Sequence, residues 1–148
     1  NMLTTPHAVV GAAIGALIPS PWLAVPVAVG SHFVLDSIPH WQETLAPYNP
    51  TRRTYVRIIF DLMLAGLLVG LMASWQPDRI AAVWLGAAAA NAPDLDTLTV
   101  LLPSLRRGPV QRFWDWHCRI QRETSQLAGV YTQLATIALC LGLAYFIQ

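Results

Sequence analysis

Three residues in one short stretch set the first chemical expectation. In His32-Phe-Val-Leu-Asp36-Ser-Ile-Pro-His40, two imidazoles flank a carboxylate at i, i+4 and i+8. On an α-helix that spacing puts all three on one face, although Pro39 can re-aim His40. Imidazole with carboxylate is a ligand set for zinc and also suits manganese, iron or nickel. His7, Asp61, Asp94, Asp96 and His117 carry the same chemistry elsewhere in the chain, in mostly apolar surroundings.

Those surroundings decide the class. The chain has 148 residues, 55% hydrophobic and 11% charged, with a net charge of +1. An average soluble domain carries about 25% charged residues. One soluble core of this size could not hide so much apolar surface. The charge balance leaves no basic stripe to follow a phosphate backbone, which argues against nucleic-acid binding. Cys118 and Cys140 form no CxxC pair, so neither a disulfide scaffold nor a zinc knuckle is indicated. The N-terminus has no basic region and no clear small-residue cleavage site, so it does not read as a removed signal peptide. The expectation is an all-α integral membrane protein, with residues 1–148 forming a single membrane domain.

The elements that must position the polar residues follow from length and punctuation. A hydrophobic helix needs about 20 residues to cross a bilayer core. About five membrane helices are expected on that basis. The first runs from about Pro6 to Ile18, short for a span, with Thr5 as N-cap and Pro6 opening the helix. The second runs from Trp22 to about Ile38, interrupted at Pro26, and completes a hairpin over about residues 6–40. The third, from about Arg53 to Trp75, pairs with a fourth from Ile80 to about Ala92. That fourth helix is disturbed by Pro93 and resumes toward Leu102, giving a hairpin over about residues 53–102. A C-terminal span covers about residues 127–147. A constant offset aligns His7 with Asp61, Pro39 with Pro93 and His40 with Asp94, so the hairpins read as a parallel repeat.

Residues 109–126 differ from the spans. Val110, Phe113, Trp114, His117 and Ile120 fall on one helical face. Arg112, Asp115, Arg119 and Arg122 fall mostly on the other. That is the pattern of an amphipathic helix lying on a membrane surface.

Orientation follows from arginine, which supplies all 9 basic residues. With alternating helices, Arg52, Arg53, Arg57, Arg106, Arg107, Arg112, Arg119 and Arg122 share one side and only Arg79 lies opposite. The positive-inside rule then puts the N-terminus in the cytoplasm and the C-terminus outside. His7, His40, Asp61, Asp94, Asp96 and His117 fall in one layer near the inner leaflet, with His32 about 12 Å deeper than His40 by helical rise. Ionisable groups inside a membrane are costly and mark functional sites. Local pairs compete with this reading: Asp61 with Arg57, Asp36 with a flanking histidine, Asp94 and Asp96 with nearby arginines. Convergence of all of them on one layer favours a shared site built between helices of a bundle.

The candidate metal ligands are therefore His7, His32, Asp36, His40, Asp61 and Asp94, with Asp96 or Glu43 as general base. Arg52, Arg53, Arg106 and Arg107 are candidates for holding a phosphate headgroup. A stripe of about 12 Å on the second helix is too long for one ion bound at about 2.0–2.2 Å per ligand. Either Asp36 bridges two ions, which is favoured, or one histidine stands outside the ligand set.

Thr5-Pro-His7 opening an Ala/Gly-rich helix, the His32 to His40 string, and Asn91-Ala-Pro-Asp94-Leu-Asp96 together resemble a known family. It comprises small bacterial inner-membrane proteins described as membrane-bound metal-dependent hydrolases. The likeness spans most of residues 4–126 through short motifs. The family's Arg-x-x-Thr-His-Ser element is matched only by Arg122-Glu-Thr-Ser125, which lacks the histidine. Either His117 supplies that ligand or the site differs. The resemblance implies a reaction class without a substrate. The combined expectation is a metal-dependent hydrolase of the bacterial inner membrane, using zinc (one or two ions), with manganese or iron as alternatives. It would act on a lipid or lipid-linked substrate, with a phosphoester favoured, from the inner leaflet. The alternatives are an ion-transporting protein, disfavoured by the lack of polar groups in the outer half, and a non-catalytic packing module.

Overall fold

A computed structural model of the chain describes residues 2–41 and 51–147. Among these the regular elements are helices: α1 (Thr4–Leu17), α2 (Pro21–Ser37), α3 (Arg52–Trp75), α4 (Ile80–Asn91), α5 (Leu98–Leu101), α6 (Pro109–Ile120) and α7 (Gln126–Phe146). A 3-10 stretch, Ala92–Thr97, joins α4 to α5. One isolated parallel β-bridge links His40 to Glu123.

The closest helix pair is α1 with α4, and small residues make it so. A Cβ on Gly11 would run into the carbonyl of Gly86, one on Gly15 into the carbonyl of Ala82, and one on Gly86 into the carbonyl of Gly11. Glycines four apart on one helix facing small residues on another let the backbones touch. Val9, Ala12, Ala13, Ala16, Val83 and Ala87 fill the seam, and Val69 and Met72 of α3 close it from the side. Both ends of α1 are held by other segments. The Asp61 carboxylate of α3 accepts the backbone N–H groups of Thr4 (2.6 Å) and Thr5 (3.2 Å), and the Thr5 hydroxyl at 2.6 Å. At the far end Arg79 donates to the Ala16 carbonyl.

These contacts fix the helix directions. The start of α1 meets α3 at Asp61, and the end of α1 meets the start of α4 at Arg79. The ends of α3 and α7 meet through Trp75 and Tyr145, whose rings lie 5.4 Å apart. So α1, α3 and α7 run one way. The chain returns through α2 and α4, which lie side by side through Ala28, Ala89 and Ala90.

The long helices fall where the sequence places them, and the shorter elements differ at their ends. Thr5 is not an N-cap: α1 opens two residues earlier, at Thr4 after Leu3, and the Thr5 hydroxyl is turned to Asp61 instead. Pro26 does not interrupt α2, which continues through it to Ser37. Pro93 turns the chain into the 3-10 stretch, and the helix resumes only as α5 toward Leu102, as expected. The surface helix stops at Ile120, well short of Gln126. Its last residues are drawn into the bridge, where His40 N–H donates to the Arg122 carbonyl (3.0 Å) and Thr124 N–H to that of His40 (3.0 Å).

Two helices, α3 with 24 residues and α7 with 21, are long and apolar enough to cross a membrane. Among the described residues five such spans are not present: α1, α2 and α4 have 14, 17 and 12 residues. Proline punctuation is the reason, since Pro19, Pro21, Pro39 and Pro93 lie at or just past their ends. Both long helices leave most of their apolar surface uncovered, with Phe60 66%, Leu67 69% and Leu139 64% exposed. The core helix of a soluble protein would bury such residues.

Candidate metal centre

His32, Asp36, Asp94 and His117 come together from α2, the 3-10 stretch and α6. One ligand atom from each lies within 4.8 Å of all the others. The Asp36 Oδ2 atom is the hub, 2.8 Å from His117 Nε2 and 3.2 Å from His32 Nε2. Asp94 Oδ1 approaches His32 Nε2 at 3.6 Å. Asp36, His32 and His117 are buried.

Each imidazole in the group is held by its other nitrogen. His32 Nδ1 donates to the Ala90 carbonyl at 2.7 Å. His117 Nδ1 is 2.7 Å from Asp96 Oδ2. Tying Nδ1 to an acceptor fixes the tautomer and turns the Nε2 lone pair inward, as second partners do for metal-bound histidines. The two Nε2 atoms then face each other at 3.1 Å across Asp36 Oδ2. Two lone pairs and a carboxylate oxygen at that separation repel unless a cation or a proton sits among them. Burial works against the charged form of His117, but hydrogen bonds to Asp36 and Asp96 outweigh it and push its pKa up to about 9. A proton on His117 meets that demand, and so would a cation bound in its place.

A second set of buried atoms adjoins the first. His7 stacks on His32 with ring centroids 4.0 Å apart, and its Nε2 stands 3.4 Å from Asp36 Oδ1. Neither His7 ring nitrogen has a hydrogen-bond partner among the described residues, and Asp36 Oδ1 has none either. His40 is tethered through Nδ1 to the Ile38 carbonyl at 2.9 Å, while its Nε2 is buried without a partner. Unsatisfied buried nitrogens and oxygens are rare and call for an explanation. His7 and His40, both expected as ligands, stand outside the four-residue group among the described residues.

The remaining expected residues are placed differently. Asp61 is not in the ligand group: its carboxylate is taken up by the first residues of α1. Asp96 stands behind His117 and orients it, which is a poor place for a general base. Glu43 lies outside the described residues. Arg52, Arg53 and Arg107 are exposed, and Arg106 stacks on Trp114, with its guanidinium 4.1 Å from the ring centroid, and donates to the Thr99 hydroxyl.

Some contributors carry no pattern in the sequence. Gln121 donates to Asp36 Oδ2 at 3.1 Å. Phe33 packs edge-on against Trp116 (4.8 Å) and His117 (5.7 Å), pinning α6 over the site. Trp116, 41% exposed, thus rests on Phe33 although its position lies off the expected apolar face. A cavity of about 560 Å³ opens beside the group and shares Asp94 with it.

Fold and site together define an all-helical protein with two candidate membrane spans and a buried His/Asp cluster able to hold a metal ion. Comparison with protein-family models, with curated proteins and with solved structures returned no match.

Proposed function

We propose that the chain is a multi-pass protein of the bacterial inner membrane and a metal-dependent hydrolase acting on a lipid or lipid-linked phosphoester. The observation that carries this reading is the pair of buried imidazole Nε2 atoms facing each other across Asp36 Oδ2. His32, Asp36, Asp94 and His117 would hold a divalent ion, zinc before manganese or iron given the nitrogen donors. His7 on the other oxygen of Asp36 supports a second ion bridged by that carboxylate. A divalent ion in such a site acidifies water and polarises a phosphoryl oxygen.

The chain's own residues do the rest. Asp96 holds the His117 ring, and the Ala90 carbonyl holds that of His32. Phe33, Phe113 and Trp116 shield one flank of the cluster from water. Asp94 is the ligand on the cavity side, where a substrate would arrive.

The membrane placement draws support from the helix directions. With α3 and α7 running the same way, the chain must return between them. That return runs through α4 and the 3-10 stretch that follows it. The arginines in the first turns of α3 and those before α7 then lie on one side, which the positive-inside rule assigns to the cytoplasm.

The test is turnover. Protein purified without a histidine tag is loaded with zinc or manganese in lipid nanodiscs and given phosphoester lipids, and release of phosphate or of the alcohol is followed. Metal-dependent release that disappears in Asp36→Ala supports the reading. Metal uptake without turnover of any such ester leaves an ion-binding protein, and no uptake leaves a packing cluster.

A further inference from the structure

Asp36 is held from a second direction, by the segment that leaves α6. Pro39 has no N–H to carry α2 onward, and the helix closes with Ile38 N–H on the Leu35 carbonyl at 3.0 Å. In a continuing helix the Asp36 carbonyl would accept the N–H four residues on. That N–H, of His40, goes instead to the Arg122 carbonyl, and the Asp36 carbonyl accepts Arg122 N–H at 3.1 Å. The exchange lays residues 121–124 alongside the end of α2 and fixes where Gln121 stands.

The Gln121 side chain then reaches the carboxylate of the same residue. Its Nε2 donates to Asp36 Oδ2 at 3.1 Å, the oxygen that His32 and His117 share. One dipeptide thus grips Asp36 twice, Arg122 by the carbonyl and Gln121 by the carboxylate. A carboxylate oxygen has two lone-pair sites. With the Gln121 N–H on one of them, Oδ2 offers the other to an ion, and the group is not free to turn and present both oxygens. Oδ1 is left on the side of His7, 3.4 Å from its Nε2. Asp96 orients the His117 ring, and Gln121 orients the carboxylate.

We infer that Gln121 is a positioning residue that holds Asp36 to one-oxygen ligation and so biases the centre toward zinc over manganese. One atom from each of His32, Asp36, Asp94 and His117 makes a set of two nitrogens and two oxygens. Four ligands of this kind are what zinc takes. A carboxylate free to turn adds a second oxygen, and a site richer in oxygen suits manganese. This rests on the metal-binding part of the proposed function and not on hydrolysis.

The experiment measures zinc and manganese affinities by dye competition on full-length protein, made without a histidine tag and held in phosphatidylcholine nanodiscs. Gln121→Met keeps the length of the side chain and removes the donor. Its zinc affinity should fall about 10–100-fold, as loss of an outer partner does, with a smaller fall for manganese, so the zinc-to-manganese ratio drops. Gln121→Glu cannot donate and adds an oxygen, so the ratio should drop at least as far. Arg119→Ala, at an exposed position on α6, should keep the original ratio. Cobalt(II) in the original protein should show the intense visible bands of four-coordination, and Gln121→Met should weaken them. Weak bands in the original protein, or an unchanged ratio in both variants, overturn the inference. Equal loss of both ions together with a lower thermal midpoint of the metal-free variant also overturns it, since Gln121 would then only hold α6 in place. No uptake of either ion by the original protein removes the metal centre itself, whereas uptake with an unchanged ratio removes the role of Gln121 alone.

Discussion

Asp96 Oδ2 lies 2.7 Å from His117 Nδ1, the ring nitrogen turned away from Asp36. His117 thus stands between two carboxylates, with Asp36 Oδ2 at 2.8 Å from its Nε2. The two acids do different work. Asp36 shares the space where an ion would sit, and Asp96 sets which nitrogen of the ring faces that space.

Asp96→Asn should therefore weaken metal binding without abolishing it. Loss of such an outer partner typically costs about 10–100-fold in affinity. Competition against a chelating dye would read it. An unchanged affinity would mean that His117 is held by its helix alone, or does not ligate.

The aromatic contact between α2 and α6 gives a second expectation. Phe33→Ala removes the surface on which Trp116 and His117 rest, and should lower metal affinity together with protection of α6 from proteolysis. Trp114→Ala loses only the stacking of Arg106 and should leave metal binding close to that of the original protein. Equal loss in both variants would show that α6 acts as one rigid unit.

The seam between α1 and α4 is the third. Gly86→Leu must push the two backbones apart, and overpacking of this kind costs about 1–3 kcal/mol. The thermal midpoint in detergent should fall, and metal uptake with it, because His7 and the Ala90 carbonyl ride on these helices. Gly142→Ala, where no neighbouring atom lies within 4 Å of the added carbon, should change neither. Equal midpoints for the two variants would remove the close-packed seam from the account.

Much of this was legible in residue types and spacing. The His32–Asp36 pair needed only helical periodicity and a bilayer argument. Asp94 and His117 joined it because alternating helices return them to the same end. What spacing could not decide was which polar residue serves the site and which serves the backbone. Asp61 looked like a ligand, but the exposed N–H groups at the start of α1 claimed it. The repeat that aligned it with His7 describes position and not role. Asp96 and Asp94 are two residues apart and face different partners, a distinction set by the 3-10 geometry after Pro93. Apart from the end of α6, helix bounds were legible to within a residue or two; what misled was counting the short α1, α2 and α4 as membrane spans.

Membrane orientation is the fourth expectation. A reporter fused after Gln148 should be active outside the cytoplasm, and one inserted at Gly108 should be active inside. A cytoplasmic C-terminus would reverse the direction of α7, and that of α3 with it, because their ends meet at Trp75 and Tyr145.

The most direct test of the central claim is the metal content of the purified protein, made without a histidine tag and supplied with zinc or manganese. Plasma mass spectrometry should find at least one divalent ion per chain in the original protein. Asp36→Ala should lose most of it. Asp115→Ala, whose carboxylate lies on the exposed face of α6 with Gln111 as its partner at 2.7 Å, should keep it. Full occupancy in Asp36→Ala, or no ion in the original protein, would contradict the assignment of this cluster as a metal centre.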